Sequence, residues 1–171
     1  MTGTFIITSA AYTDPDFVST FGLLPPAFLP IGNKRLYELQ ANLVSGLNYR
    51  NLLSIPKDFY ISENELLKIS ELGFELIRVP LGISLGESIA NALSQAMVKN
   101  GELRILHGDT LVKDFPFKEL DVVSEGMTTD YFSWAEYRIS PEGKIDFFDG
   151  LIEGTAINSQ VGERNVLSGY F

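Results

Sequence analysis

Short apolar runs alternate with one-sided amphipathic stretches along the first two thirds of the chain. Residues 4–8 form a β-branched run that stops at Ser9, Ala10 and Ala11, predicting a strand followed by a small-residue, polar loop. Pro25, Pro26 and Pro30 fix φ and remove donors between Gly22 and Gly32, so that segment reads as an extended surface loop. From Lys34 the positions Leu36, Leu39, Leu43 and Val44 follow helical spacing, and Gly46 stands where the helix would end. Residues 52–55 read as a second strand closed by Pro56. Ser62 and Glu65 then make a capping-box pattern ahead of Leu66, Leu67 and Ile69, with Gly73 ending that helix. A third strand over 74–79 leads to a second capping box, Ser84 with Glu87, opening a helix that carries Leu85, Ile89, Leu93, Ala96 and Met97 on one face. Asn100-Gly101 is the expected stop, and 103–107 is a nearly continuous apolar strand running into Gly108-Asp109-Thr110.

This alternation predicts an α/β fold: a mostly parallel, Rossmann-like sheet with helices on both faces and ligands at the carboxyl ends of the strands. The loops after Thr8, Val79 and His107 all fall at that end. Beyond Asp121 the pattern changes to strands without helices. Residues 131–139, a Ser140-Pro141-Glu142-Gly143 turn and residues 144–148 predict an antiparallel hairpin toward the C-terminal edge. A length of 171 residues with 45% hydrophobic content suits one core, and 1–171 is read as a single domain.

Charge narrows the partners. Twenty-two acidic residues against 13 basic ones give a net charge of -9, which repels phosphate backbones and argues against nucleic acid. With no cysteine and one histidine, His107, thiolate and histidine-cluster metal sites are excluded, leaving a hard, oxygen-bound ion such as magnesium. No stretch reaches the roughly 20 apolar residues of a membrane span, and the N-terminus lacks a basic region before its apolar run. The expectation is a soluble, cytoplasmic chain; homo-oligomerisation is left open.

Chemistry concentrates in the loops. A carboxylate at the end of a buried strand, Asp109, can hold magnesium (Mg2+) against a triphosphate, and Gly108 before it lets a nucleotide approach the backbone. The plainer alternative is a turn residue that caps the next segment of chain. Amides at the helix start around Ser84 and Gly86 could receive a base or phosphate, although the capping box alone also explains Ser84 and Glu87. Gly86 is less expected, because glycine costs about 0.5–1 kcal/mol in a helix relative to alanine. His107 reads either as a base or as a hydrogen-bonded core residue, and Trp134 as a stacking platform or as part of an alternating strand.

Three segments, in order, carry a resemblance. Phe28-Leu29-Pro30-Ile31-Gly32-Asn33-Lys34-Arg35-Leu36 is similar to the leucine-leucine-proline-valine-glycine-x-lysine-proline-leucine segment of the sugar-1-phosphate nucleotidyltransferases. Leu85-Gly86-Glu87-Ser88-Ile89-Ala90 resembles that family's glycine-threonine-alanine loop, and Leu106-His107-Gly108-Asp109-Thr110-Leu111-Val112 its glycine-aspartate strand end. Trp134-Ala135-Glu136-Tyr137, the Pro141-Glu142-Gly143-Lys144-Ile145 turn and Ser168-Gly169-Tyr170-Phe171 resemble later family segments, so the likeness spans nearly the whole chain. It implies nucleotide contacts at Ser9, Ala10, Ala11, Ser84, Gly86 and Gly108, a metal at Asp109, and joining of a nucleoside triphosphate to a phosphorylated sugar, with a route into surface polysaccharide precursors. It also implies that these 171 residues lack the family's C-terminal part, which carries a second metal aspartate and much of the sugar pocket, as a truncated chain or a shortened relative would.

The departures are as informative. The family's first loop is a glycine-rich phosphate cradle with a catalytic arginine and a following lysine; here residues 9–22 hold Ala10-Ala11, Asp14 and Asp16 and no cation, and the lysine position falls at Pro26. Near 148–154, where the family has glutamate-lysine-proline, Asp149 to Gly154 contains no lysine. Lys34 and Arg35 remain, either as supplied charge or as a solvated helix start. A catalytically degenerate nucleotidyltransferase-like binding or regulatory module is therefore the alternative. A glycosyltransferase ranks last, for want of an aspartate-x-aspartate motif at the metal strand, residues 103–110.

Overall fold

The computed structural model describes residues 3–113, 115–118, 125–127, 135–139, 141, 145–150 and 165–167. They fall into two compact units, 1–117 and 118–171. Trp134, the turn after Ile139 apart from Pro141, and residues 168–171 lie outside the described residues.

In chain order the first unit contains β1 (Gly3–Thr8), α1 (Pro15–Phe21), a 3-10 turn (Pro26–Phe28), β2 (Pro30–Ile31), β3 (Lys34–Arg35), α2 (Leu36–Ala41), β4 (Tyr49–Pro56), α3 (Glu63–Glu71), β5 (Phe74–Val79), α4 (Leu85–Gln95) and β6 (Leu103–His107). The four long strands form a fully parallel sheet in the order β5-β4-β1-β6, flanked by helices. Pairing runs Ile6 with Leu52 and Ile105, and Leu52 with Glu75.

Strand alternation explains the core. Ile6, Leu52, Ile77 and Val79 point to the face covered by Ala92 and Ala96 of α4. Phe5, Ile7, Leu53 and Ile55, also fully buried, point to the opposite face. Each such side chain contributes roughly 1.5–3 kcal/mol by leaving water. On that second side α2 and α3 are tied together: the Tyr37 hydroxyl donates to Glu65 at 2.7 Å, and Lys68 pairs with Glu38 at 2.8 Å. Both crossovers from β1 through β4 to β5 run one way along the sheet and the α4 crossover runs back. The right-handed rule therefore puts α4 on the other face.

Several boundaries differ from the pattern's expectation. Residues 9–22 are not all loop: Asp14 caps α1 by accepting from the Asp16 amide at 3.0 Å, Pro15 takes the first helical position, and Gly22 at φ 77° closes it. The helix expected from Lys34 begins at Leu36 and ends at Ala41, because Lys34 and Arg35 pair with Pro30 and Ile31 across a Gly32-Asn33 turn. Its buried stripe is Leu36, Tyr37, Gln40 and Ala41, rotated from the expected Leu39 and Leu43. The last helix ends at Gln95, not at Asn100-Gly101, with Met97 in the left-handed region at φ 54°. Of the two capping boxes, the one at Ser84 and Glu87 is complete. At Ser62 only the hydroxyl half is present, since Glu65 gives its carboxylate to Tyr37.

The second unit holds β7 (Glu125–Met127), β8 (Ala135–Ile139), β9 (Ile145–Gly150) and β10 (Asn165–Leu167), in the order β7-β10-β8-β9. All its pairings are antiparallel, and β8 with β9 is the predicted hairpin, irregular in register between Arg138 and Ile139. Among the described residues no helix is long and apolar enough to cross a membrane.

Candidate functional site

Strand order reverses beside β1: the chain runs outward through β4 and β5 and then returns to β6 on the other side. Crevices for ligands open at the carboxyl ends of strands at such a reversal. Here the two strand ends are zipped together. The Gly108 amide donates to the Thr8 carbonyl at 2.8 Å, and a Cβ on Gly108 would stand 2.8 Å from the Ser9 Cβ and from the Thr8 oxygen. The space that glycine leaves is filled by Ser9, so close packing of the two strand ends is by itself a reason for glycine here.

Ser9 is itself committed to the scaffold. It is 2% exposed; its amide reaches the Ser54 carbonyl at 3.1 Å and hydroxyl at 3.2 Å, and its own hydroxyl accepts from the Ala27 amide at 2.9 Å. That last bond holds the proline-bounded turn against the end of β1. The open concavity lies beside it, a cleft of about 160 Å³ lined by Thr8, Ser9, Ala10, Ala11, Pro26, Ile83, Leu85 and Ser88. Three hydroxyls punctuate an otherwise apolar wall, and no charged side chain lines it.

The cleft brings together three of the residues that the sequence marks out, Ser9, Ala10 and Ala11, with the helix start that carries two more. Ser84 and Gly86 flank its lining residue Leu85 without lining it themselves. At that helix start the Glu87 carboxylate accepts from the Ser84 amide at 2.9 Å and hydroxyl at 2.8 Å, and the Ser84 hydroxyl accepts from the Glu87 amide at 3.3 Å. These bonds, the Ser84 amide first, hold the Glu87 carboxyl below its ordinary pKa. An anion already occupies the favourable end of the helix dipole. Gly86 has no heavy atom within 4 Å of where its Cβ would be, so it faces open space.

Asp109 is exposed and does not line the cleft; its carboxylate accepts from the Thr110 hydroxyl at 3.1 Å. His107, at the end of β6, is half-buried. Burial pushes its pKa down, and the nearby Asp109 charge pulls in the other direction. Gln40 is not among the residues that the sequence marks out, yet it holds this loop: its fully buried amide nitrogen donates toward the carbonyls of His107 at 3.0 Å, Gly108 at 3.3 Å and Thr110 at 2.8 Å. Its place four residues after Leu36 and four before Val44, on the helix's apolar stripe, is the signal that could have found it.

Among the described residues no three or more histidine or carboxylate side chains gather as a metal cage. One carboxylate still fits magnesium, which is commonly held by one or two carboxylates together with substrate phosphates and water. Asp109 could serve in that way, as a ligand completed by the nucleotide.

Lys34 and Arg35 lie in a separate groove of about 290 Å³ with Pro30, Gly32, Asn33, Glu38, Glu65 and Lys68. Arg35 donates to the Phe28 carbonyl at 3.0 Å and stands 3.8 Å from Glu65. The positive charges here are largely matched by negative ones, as on a structural surface.

No protein-family model matches the chain, and no curated protein matches it in sequence. Solved structures do: among 44 matching chains is HddC from Yersinia pseudotuberculosis, complexed with GMP-PN. The match covers 99% of this chain and 73% of that one, at a TM-score of 0.55 and 15% identity. A likeness at that identity establishes the fold alone, an α/β architecture shared with that protein.

Proposed function

We propose that the chain binds a nucleotide at the carboxyl end of its parallel sheet and belongs, by function, with the sugar-phosphate nucleotidyltransferases. One observation carries the reading. The uncharged cleft coincides with the small-residue loop after β1 and the start of α4, the two segments that the motif resemblance assigns to the nucleotide. Its apolar wall and three hydroxyls suit a base, which needs a flat apolar contact and a few polar partners. That a protein of this fold was solved with GMP-PN agrees with it.

In the reaction so implied, a sugar 1-phosphate oxygen attacks the α-phosphorus of the triphosphate, the α–β phosphoanhydride bond breaks, and pyrophosphate leaves. Magnesium, when bound, neutralises charge on the phosphates. Asp109 would hold it, and the Ser9 to Ala11 loop would seat the nucleoside. A route into surface polysaccharide precursors belongs to the same proposal.

A second reading, a binding module without transfer, is favoured by α1. In place of a cation-bearing phosphate cradle, residues 9–22 hold a loop followed by the capped helix α1, whose start is acidic, at Asp14 and Asp16. Calorimetric titration of each nucleoside triphosphate with magnesium, followed by a pyrophosphate-exchange assay, separates the two. Binding with exchange supports transfer, binding without exchange supports the module, and no binding to any triphosphate overturns both.

A further inference from the structure

The end of β6 is not held by the sheet alone. His107 pairs with Thr8 and the Gly108 amide reaches the Thr8 carbonyl, but after Gly108 the chain turns back on itself, with the Thr110 amide donating to the His107 carbonyl at 3.0 Å. This turn aims three carbonyls, those of His107, Gly108 and Thr110, at one point. Clustered carbonyl oxygens repel one another unless a donor or cation stands among them.

The Gln40 side-chain nitrogen stands there, 2.8–3.3 Å from each oxygen. The amide's orientation is set by the network, since the reverse would put its oxygen against three others. Gln40 is 0% exposed, and its oxygen has no hydrogen-bond partner. A buried glutamine with one half spent on the loop and the other unsatisfied is expensive packing, which apolar residues of the same size would avoid. Leu36, Tyr37 and Ala41 on the same helix face already provide apolar burial.

We propose that Gln40 is a positioning residue: its amide fixes the backbone of the turn that bears Asp109 and so sets where that carboxylate is presented. The consequence for metal and nucleotide rests on the function proposed above; the clamp on the turn stands without it.

The test has a ligand-free arm and a ligand arm, both on the full chain. In the first, amide hydrogen exchange is measured in the wild type and in Gln40→Met, which keeps length and volume but has no donor. We expect the Thr110 amide of the wild type to be protected, and the substitution to speed its exchange roughly tenfold or more, while Ile6 and Leu52 in the sheet keep their rates. A Thr110 amide that exchanges freely in the wild type, or one unaffected by the substitution, overturns the proposal. Should Gln40→Met not fold, Gln40→Glu at a pH where its carboxylate is ionised serves instead: an acceptor in place of the donor should speed Thr110 exchange likewise, and an unchanged rate overturns the proposal.

In the second arm each ribonucleoside triphosphate is titrated with magnesium. A roughly tenfold loss of affinity in Gln40→Met is expected under conditions where urea denaturation shows the variant still fully folded, a change a purely packing role would not produce. Unaltered affinity in a variant whose turn has loosened overturns the link to Asp109. A wild type that binds no triphosphate sinks the proposed function, and the exchange arm still decides the clamp.

Discussion

The Ser9 Cβ lies 2.8 Å from where a Cβ on Gly108 would be, inside the contact distance of any real pair. Two loops that the sequence suggested for ligand contact are thus packed on each other. Gly108→Ala should wedge β6 from β1 at the Gly108 to Thr8 hydrogen bond, since neither Ser9 nor the Thr8 backbone has room to give. A loss of about 1–3 kcal/mol is expected from such overpacking. Urea denaturation measures it; a midpoint equal to wild type would show that the strand ends are not rigid.

Gly86→Ala makes the opposite case. Open space surrounds the position and it lies in the first turn of α4, so alanine should raise stability by about 0.5–1 kcal/mol. If the nucleotide approaches α4 closely, affinity should fall while stability rises. Stability rising with affinity intact would leave Gly86 without a part in binding.

These two glycines show how far the residues could be read in advance. The parallel strands and the Ser84 capping box depend on local pattern, and both are present as expected. Helix α1 was also legible: Asp14 before Pro15, with Gly22 after Phe21, is a start and stop signal, overshadowed by the likeness of the segment to a phosphate loop. Gln40 was obscured by its polarity, because an apolar-spacing count skips a glutamine whose burial depends on a turn 67 residues away. Just past the end of α4, Met97 takes a left-handed conformation that only glycine or asparagine would have advertised. At the site, the Ser9 to Ala11 loop was legible from its small residues, while Pro26, Ile83 and Leu85 join it only through tertiary folding.

At the opposite end of the sheet, Glu102 accepts from the Tyr49 hydroxyl at 2.6 Å and from Arg104 at 2.7 Å, and Arg104 is 2% exposed. The Tyr49 hydrogen bond first, and Arg104 with it, hold the Glu102 carboxyl below its ordinary 4.5. A carboxyl with a depressed folded pKa stabilises fully above its unfolded value and loses that contribution as pH falls through the folded one. Stability should therefore decline on acidification below about pH 4.5, with Glu102 contributing to the slope. Glu102→Gln should cost roughly 1–3 kcal/mol at neutral pH, for want of a charge beside Arg104, and flatten the acid limb. Thermal unfolding from pH 3 to 7 reads both, and an acid limb of unchanged slope would remove Glu102 from the account.

The protein itself supplies little of a metal site. Asp109 brings one exposed carboxylate, partnered by Thr110, and among the described residues no group of three or more histidine or carboxylate side chains gathers as a cage. Magnesium gives up its water reluctantly and gains little from a single carboxylate, but phosphate oxygens of a bound nucleotide add charge and ligands. The ion should therefore bind measurably only with the triphosphate. Titrating magnesium alone should give no heat beyond dilution, whereas with a binding triphosphate Asp109→Ala should lower affinity about tenfold or more, on the order of 1.4 kcal/mol. The substitution removes an exposed side chain, so its effect on the unfolding midpoint should be small. Magnesium bound tightly without nucleotide would require ligands other than Asp109, and nucleotide affinity indifferent to the substitution would place the ion elsewhere.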